Sequence, residues 1–249
     1  MKKLFIVGSG IKFLSHLTYE TLSLIQQCDC VCFLVNDPAM KKWVIDNSKK
    51  AVSLDEVYFN SKLRRNSYES ISDEIIKITM RHEVTCFVTY GHPLILSNVS
   101  TKLIENIAEN CPGITVDVLP GISSIDTLFC DLRFDPGTVG LQAYESTVFI
   151  NSNYSINTNC HLILWQIGIS GVKTIIKSDD ELFNSTERKE SLKKLKDKLL
   201  FSYNGNHPVI LYVAGTYPSI PFMKKIVHLH NLDSVSIPRL ATAYIPPCF

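Results

Sequence analysis

The feature that most constrains this chain is a repeated punctuation. Short apolar runs stop at glycine or proline, and helical periodicity follows. Residues 4–7 run into Gly8-Ser9-Gly10, and residues 30–35 into Asn36-Asp37-Pro38. Residues 86–88 lead through Tyr90 into Gly91-His92-Pro93, and residues 115–119 end at Pro120-Gly121. Each run is short enough for a strand, and each stop supplies turn chemistry. Between them, a helix is expected from Thr18, which serves as N-cap with Glu20 in the first turn and Leu22, Leu24 and Ile25 on one face. Further helices are expected over residues 39–47, over 70–80 with Ile71, Ile75, Ile76 and Ile78 at helical spacing, and over 100–110. Strands alternating with helices predict parallel βαβ units, an α/β fold.

The Pro-Gly pairs within residues 111–124 mark a break, and a domain boundary is placed there. An N-terminal α/β domain (1–113) would carry the substrate side and the Gly-His-Pro loop. A C-terminal α/β domain (114–249) would hold strands at 139–143, 160–166, 209–214 and 236–244. Residues 180–200 predict one amphipathic helix whose charge run is a solvated face.

Composition narrows the function classes. Lys and Arg total 25 against 24 Asp and Glu, so no global field draws in nucleic acid or an anionic membrane. The 45% hydrophobic content is enough for a packed core. None of the eight cysteines forms a C-x-x-C pair, and no metal site is expected. Cys28, Cys30 and Cys32 alternate, which on one strand would put them on one face as small buried hydrophobes of a reducing cytosol. The opening MKKLFIVGSGIKF has the charge and apolar run of a signal peptide. Its glycines and lack of a cleavage site make it a first strand instead. No stretch approaches the roughly 18 apolar residues of a membrane span, and a soluble, cytoplasmic protein is expected.

Three places have chemistry to offer. Gly8-Ser9-Gly10 opens like a dinucleotide fingerprint, but Phe13 stands where the third glycine belongs and Asp37 lies past the second strand. Gly91-His92-Pro93 sits at the carboxyl end of a strand, where α/β proteins hold ligands. Its apolar continuation, Leu94-Ile95-Leu96, would suit the wall of an apolar pocket. Residues 119–124 repeat the arrangement and add Ser123 and Ser124. His92 by itself is as compatible with a structural role. In YFNSKLRRNSY (58–68), Arg64 and Tyr68 become neighbours if a helix starts there. With Tyr58 they are either a surface stack or a group that holds an oxyanion.

Taken in order, these motifs resemble the tetrapyrrole methylase superfamily, and more finely the borosin-type, omphalotin-like peptide backbone N-methyltransferases. The likeness rests on VGSGIK, DPA (37–39), RRNSY, YGHP, LPGISSIDTLFCDLRFDP (119–136), YES (144–146), LWQIG (164–168), HPVILYVA (207–214) and YIPP (244–247), which span nearly the whole chain. It implies a two-domain class III methyltransferase fold with S-adenosylmethionine in the cleft between domains and S-adenosylhomocysteine as product. It assigns Tyr58, Arg64, Tyr68 and Tyr90 to the reaction centre. Tyr90, His92, Ile95, Leu96, Ser123, Ser124, Gln166, Tyr212, Val213 and Ala214 would line the cofactor.

A phenol can serve as base only if a nearby cation lowers its pKa, and Arg64 is expected to do this for Tyr58 or Tyr68. The resemblance also implies a homodimer. Because the fused relatives continue into a substrate peptide and this sequence stops at AYIPPCF, a separately encoded precursor peptide acting in trans is expected. Two departures stand out. The Gly-Asp that porphyrin-modifying members carry in the first loop is absent, and Leu94 replaces the glycine usual after YGHP. A precorrin-like macrocycle, another small molecule or a protein side chain stays open as acceptor. So does a non-catalytic module that binds the cofactor or a peptide.

Overall fold

The four strands expected in the N-terminal half all form, and they lie parallel. The computed structural model describes residues 1–248, which divide into two compact units: Met1–Thr127 with Thr216–Ile220, and Leu128–Gly215 with the residues from Pro221 onward. In the first unit, β1 (Lys2–Gly8), α1 (Tyr19–Gln27), β2 (Cys30–Leu34), α2 (Pro38–Asn47), β3 (Ala51–Ser53), α3 (Asp55–Phe59), α4 (Arg64–Arg81), β4 (Val84–Thr89), α5 (Asn98–Asn110) and β5 (Ile114–Val118) follow one another. Helix α6 (Ser124–Leu132) carries the chain onward. The sheet order is β3-β2-β4-β1-β5. Because β5 pairs with β1, the first unit runs to Thr127 and not to the boundary expected at 113/114.

Alternation along the strands sorts the core into two layers. Leu4, Ile6, Cys30, Cys32 and Phe87 pack with Ile71, Ile75 and Ile78 of α4 and with Leu103 and Ile107 of α5. Val7, Val31, Phe33, Cys86 and Val88 pack with Ile25 of α1 and with Met40 and Val44 of α2. Cys28 corrects one expectation. It caps the C-terminus of α1 and does not share the face of Cys30 and Cys32. Thr18 caps α1 as expected, its hydroxyl accepting the Thr21 amide at 3.1 Å.

The second unit holds β6 (Leu141–Glu145), α7 (Ser146–Asn151), β7 (His161–Trp165), α8 (Asp179–Asn184), α9 (Thr186–Leu200), β8 (Pro208–Val213), β9 (Met223–His228) and β10 (Thr242–Ile245). Its sheet runs β6-β7-β10-β8-β9, with β10 antiparallel to both neighbours. The single helix expected over 180–200 is two, because Ser185 leaves helical geometry and caps α9 through the Arg188 amide. Leu192, Leu195 and Leu199 enter the core, while Lys193, Lys194 and Asp197 stay in solvent as the charge pattern implied. The strand expected over 236–244 begins only at Thr242, since Pro238 sits in a turn closed by the Ala241 amide. Among the described residues, no helix is long and apolar enough to cross a membrane.

A Cβ added at Gly8 would lie 2.0 Å from the Gly91 carbonyl oxygen and 3.1 Å from Pro93 Cδ, whereas one added at Gly113 meets nothing within 4 Å. Gly8→Ala is therefore expected to lower unfolding free energy by about 1–3 kcal/mol. Gly113→Ala should move it by less than about 0.5 kcal/mol in the same denaturant titration.

Tyr244 is buried, stacked on Phe134 at 4.6 Å, with its hydroxyl 2.8 Å from His161 Nδ1. Burial pushes its phenol from 10.0 to about 12. The folded state thus keeps a proton that the unfolded chain gives up above pH 10.0, so this stability is complete below 10.0 and drains away towards 12. Thermal melts across that interval should fall less steeply with pH in Tyr244→Phe than in the wild type.

Candidate active site

The carboxyl ends of the five parallel strands lie along one edge of the first sheet, and the loops after β1, β4 and β5 meet there backbone to backbone. The Gly91 amide donates to the Gly10 carbonyl at 3.1 Å, and the Gly10 amide donates to the Gly91 carbonyl at 3.2 Å. Gly121 closes the group from the end of β5: a Cβ there would fall 2.8 Å from the Gly91 carbonyl oxygen and 3.0 Å from Gly8 Cα. Gly10 and Gly91 take φ of +70° and +72°, a region that costs other residues strain. Glycine is thus required here for close approach and for handedness alike.

The tyrosine–arginine group comes from α3 and the start of α4, after β3. Helix α4 starts at Arg64, so Arg64 and Tyr68 are one turn apart as the spacing implied. Tyr58 comes from α3, and its carbonyl accepts the Ser67 hydroxyl of α4 at 2.7 Å, fastening the two helices. The Tyr58 and Tyr68 rings lie 6.4 Å apart. All three side chains are half-buried.

Burial dominates the electrostatics. It raises the Tyr68 phenol, as does neighbouring Tyr58, while Arg64 and a hydrogen bond with Asn98 pull it down and lose. The expectation that Arg64 makes a low-pKa phenol therefore has the right direction for the arginine and the wrong balance for Tyr68. Tyr90 is pushed up to about 12, by burial first and by the charge of Asp37 second. Tyr68 and Tyr90 consequently hold their protons at neutral pH and have a hydroxyl hydrogen to donate. Asn98, the first residue of α5, escaped notice in the sequence because nothing in an exposed helix-start asparagine marks it as a partner of a residue thirty positions upstream.

The Gly-His-Pro loop folds on itself. His92 Nδ1 accepts the Leu94 amide at 3.1 Å, and the Ile95 amide donates to the His92 carbonyl at 3.3 Å. With Nδ1 accepting, Nε2 is the ring nitrogen left to make a further contact. Leu94 and Leu96 are 50% and 37% exposed, too much for core residues, and Ile95 is half-buried. Leu96 also adopts φ of +56°, a backbone state that leucine rarely occupies and that tends to gather at ligand-contacting loops. Ser123 is buried, and its hydroxyl and amide both donate to Asp126 Oδ2 at 2.7 Å, so its oxygen can only accept from a ligand. Ser124 is half-buried at the start of α6.

The remaining expected residues belong to the second unit. Register through β10 sets Leu164 of β7 level with Leu211 of β8. Gln166, Val213 and Ala214 therefore share one edge of that sheet. Gln166 takes φ of +57° and its carbonyl accepts the Ser146 hydroxyl at 3.3 Å. Tyr212 is 1% exposed and its hydroxyl donates to Asp131 Oδ2 at 2.6 Å, so its side chain is a core element of this unit. Gly168 is pressed against the Pro238 carbonyl, 2.0 Å from a hypothetical Cβ, and buried Arg188 donates to the Gly168 carbonyl at 2.8 Å. These contacts hold the Gln166 turn in place.

Comparison with known proteins agrees with this fold. The family model of Tetrapyrrole (Corrin/Porphyrin) Methylases matches residues 3–219. The methyltransferase/type I borosin cyclic peptide precursor of Coprinopsis marcescibilis is 31% identical over 98% of this chain and 62% of its own length. The methyltransferase/gymnopeptides precursor of Gymnopus fusipes is 33% identical, over 97% and 56% respectively. The omphalotin A precursor of Omphalotus olearius is 30% identical, over 97% and 57%. The chain thus spans somewhat more than half the length of these relatives. Among solved structures, uroporphyrin-III C-methyltransferase of Thermus thermophilus superposes with a TM-score of 0.66 at 15% identity, covering 98% of this chain and 92% of that one. A cobalt precorrin-4 methyltransferase of cobalamin biosynthesis superposes with a TM-score of 0.65, also at 15% identity, covering 98% and 94%. At that identity these structures speak for the fold. With the family model covering most of its length, this chain belongs to the tetrapyrrole methylase family.

Proposed function

We propose that this protein transfers methyl groups from S-adenosylmethionine to backbone amide nitrogens of a ribosomally made precursor peptide. The observation that carries the proposal is the convergence of Tyr58, Arg64 and Tyr68 at the start of α4, in a chain whose relatives are named as borosin methyltransferase precursors.

The residues present fit the donor. A sulfonium nucleoside has an apolar body, hydroxyls and a cationic centre. The first unit offers the aliphatics Ile95 and Leu96, Nε2 of His92, the acceptor oxygens of Ser123 and Ser124, and the phenol of Tyr90. When bound, the donor supplies an electrophilic methyl group.

The protein's own part is to make a poor nucleophile react. An amide nitrogen shares its lone pair with the carbonyl, so attack needs charge moved onto oxygen and the N–H proton passed to solvent water. The nitrogen–methyl bond would form as the donor's sulfur–methyl bond breaks and S-adenosylhomocysteine leaves. The planar guanidinium of Arg64 suits that oxygen. Tyr68, whose raised phenol keeps its proton at neutral pH, adds a donated hydrogen bond to the same charge. The half-buried setting strengthens both interactions relative to water.

Two measurements on one reaction test this. Purified protein, S-adenosylmethionine and a precursor peptide are incubated together, and fragment masses locate the added methylene masses. The expected products carry them on backbone nitrogens; products methylated only on side chains, or transfer only to a tetrapyrrole, would remove the peptide proposal. In Arg64→Ala, donor affinity should stay within about 3-fold of wild type while turnover drops on the order of 10²–10³-fold. Unchanged turnover would take Arg64 out of the mechanism.

A further inference from the structure

Asp37 stands at a position that the proposed chemistry leaves unused. It follows β2, whose Leu34 is level with Thr89 of β4, so Asp37 and Tyr90 belong to neighbouring strand ends on the same carboxyl edge. Its two oxygens are separately employed: Oδ1 accepts the Met40 amide at 2.8 Å as the N-cap of α2, and Oδ2 accepts the hydroxyl of Tyr217. Among the described residues, no ion pair includes Asp37. A half-buried carboxylate with hydrogen-bond donors and no cation leaves a negative potential over the strand ends.

The origin of Tyr217 makes the arrangement more specific. It lies in Thr216–Ile220, a segment that leaves the second half of the chain and packs in the first unit. The segment is fastened at three points. The Phe13 amide donates to the Thr216 carbonyl at 2.8 Å, the Phe13 and Tyr217 rings sit 5.8 Å apart, and the Tyr217 hydroxyl reaches Asp37. The hydrogen bond to Asp37 raises the Tyr217 phenol, so it remains a donor. Tyr217 thereby fixes one carboxylate oxygen, the helix start fixes the other, and the lone pairs that remain have a set direction. Tyr90, raised in part by the charge of Asp37, shows that this field reaches the end of β4.

We infer that Asp37, oriented by Tyr217, receives the positively charged portion of the methyl donor, its ammonium or its sulfonium. This rests on the proposed use of S-adenosylmethionine and deepens it by naming an anionic subsite. The charge complementarity is direct: S-adenosylmethionine carries both cations, S-adenosylhomocysteine only the ammonium, and 5′-methylthioadenosine neither.

Those three molecules are the probes, titrated calorimetrically into the intact protein. Asp37→Asn removes the charge while keeping a side chain that caps helices well, so α2 is preserved. The variant should bind 5′-methylthioadenosine as the wild type does and bind S-adenosylmethionine about 10-fold or more weakly. Equal weakening of S-adenosylhomocysteine assigns the contact to the ammonium; weakening of S-adenosylmethionine alone assigns it to the sulfonium. Tyr217→Phe should move affinities the same way by a smaller factor, again sparing 5′-methylthioadenosine. An Asp37→Asn variant that binds all three as the wild type does, or loses all three equally, overturns the inference. An unaffected Tyr217→Phe overturns the orienting role of that hydroxyl. Wild-type protein that binds none of the probes overturns the donor proposal itself, an outcome distinct from a normal wild type with a silent variant.

Discussion

Everything at the carboxyl edge of the first sheet depends on three glycines meeting without side chains between them. Gly8, Gly91 and Gly121 end or follow β1, β4 and β5, and a single methyl group at Gly8 or Gly121 would intrude on the Gly91 carbonyl. Reciprocal hydrogen bonds between Gly10 and Gly91 hold two of the loops together. This contact sets where the chain after Gly91 can go. Pro93 stiffens the exit, and Leu94, Ile95 and Leu96 emerge on a loop too exposed to be core and too apolar for an idle turn. The apolar residues after the Gly-His-Pro break are thus placed by backbone packing beneath them.

The second determinant is the contest between burial and charge around the phenols. Arg64 favours ionisation of Tyr68, yet desolvation and the neighbouring ring of Tyr58 outweigh it. Tyr90 moves further in the same direction under burial and Asp37. A protonated Tyr68 phenol beside the Arg64 guanidinium is suited to stabilising negative charge on a substrate oxygen. Asp37 provides the opposite potential at the end of β2, so the edge of one sheet presents an electropositive and an electronegative feature on different loops.

Much of this was legible in the residues because local rules decided it. Glycine or proline stops placed β1, β2, β4 and β5, and Thr18 and the isoleucines of α4 marked their helices. The helical start at Arg64 was what made Arg64 and Tyr68 neighbours. What escaped was decided by distant partners. β3 is a three-residue edge strand with little pattern of its own, and β9 carries two lysines on an edge where charge is a normal guard against further pairing. Cys28 broke the apparent alternation because a helix cap intervenes before β2. The partnership of Asp37 with Tyr217 spans 180 residues, and no spacing rule reaches that far. The net direction of the Tyr68 shift was equally hidden, since burial is a property of the folded chain and not of a motif.

The most direct test is a crystal structure of the protein grown with S-adenosylhomocysteine. The account requires the ligand to lie against residues 90–96 and Ser123–Ser124, on the glycine floor, with Arg64, Tyr58 and Tyr68 turned towards the same side. Ligand density bound elsewhere on the first unit, or those three side chains pointing away from it into solvent, would contradict it.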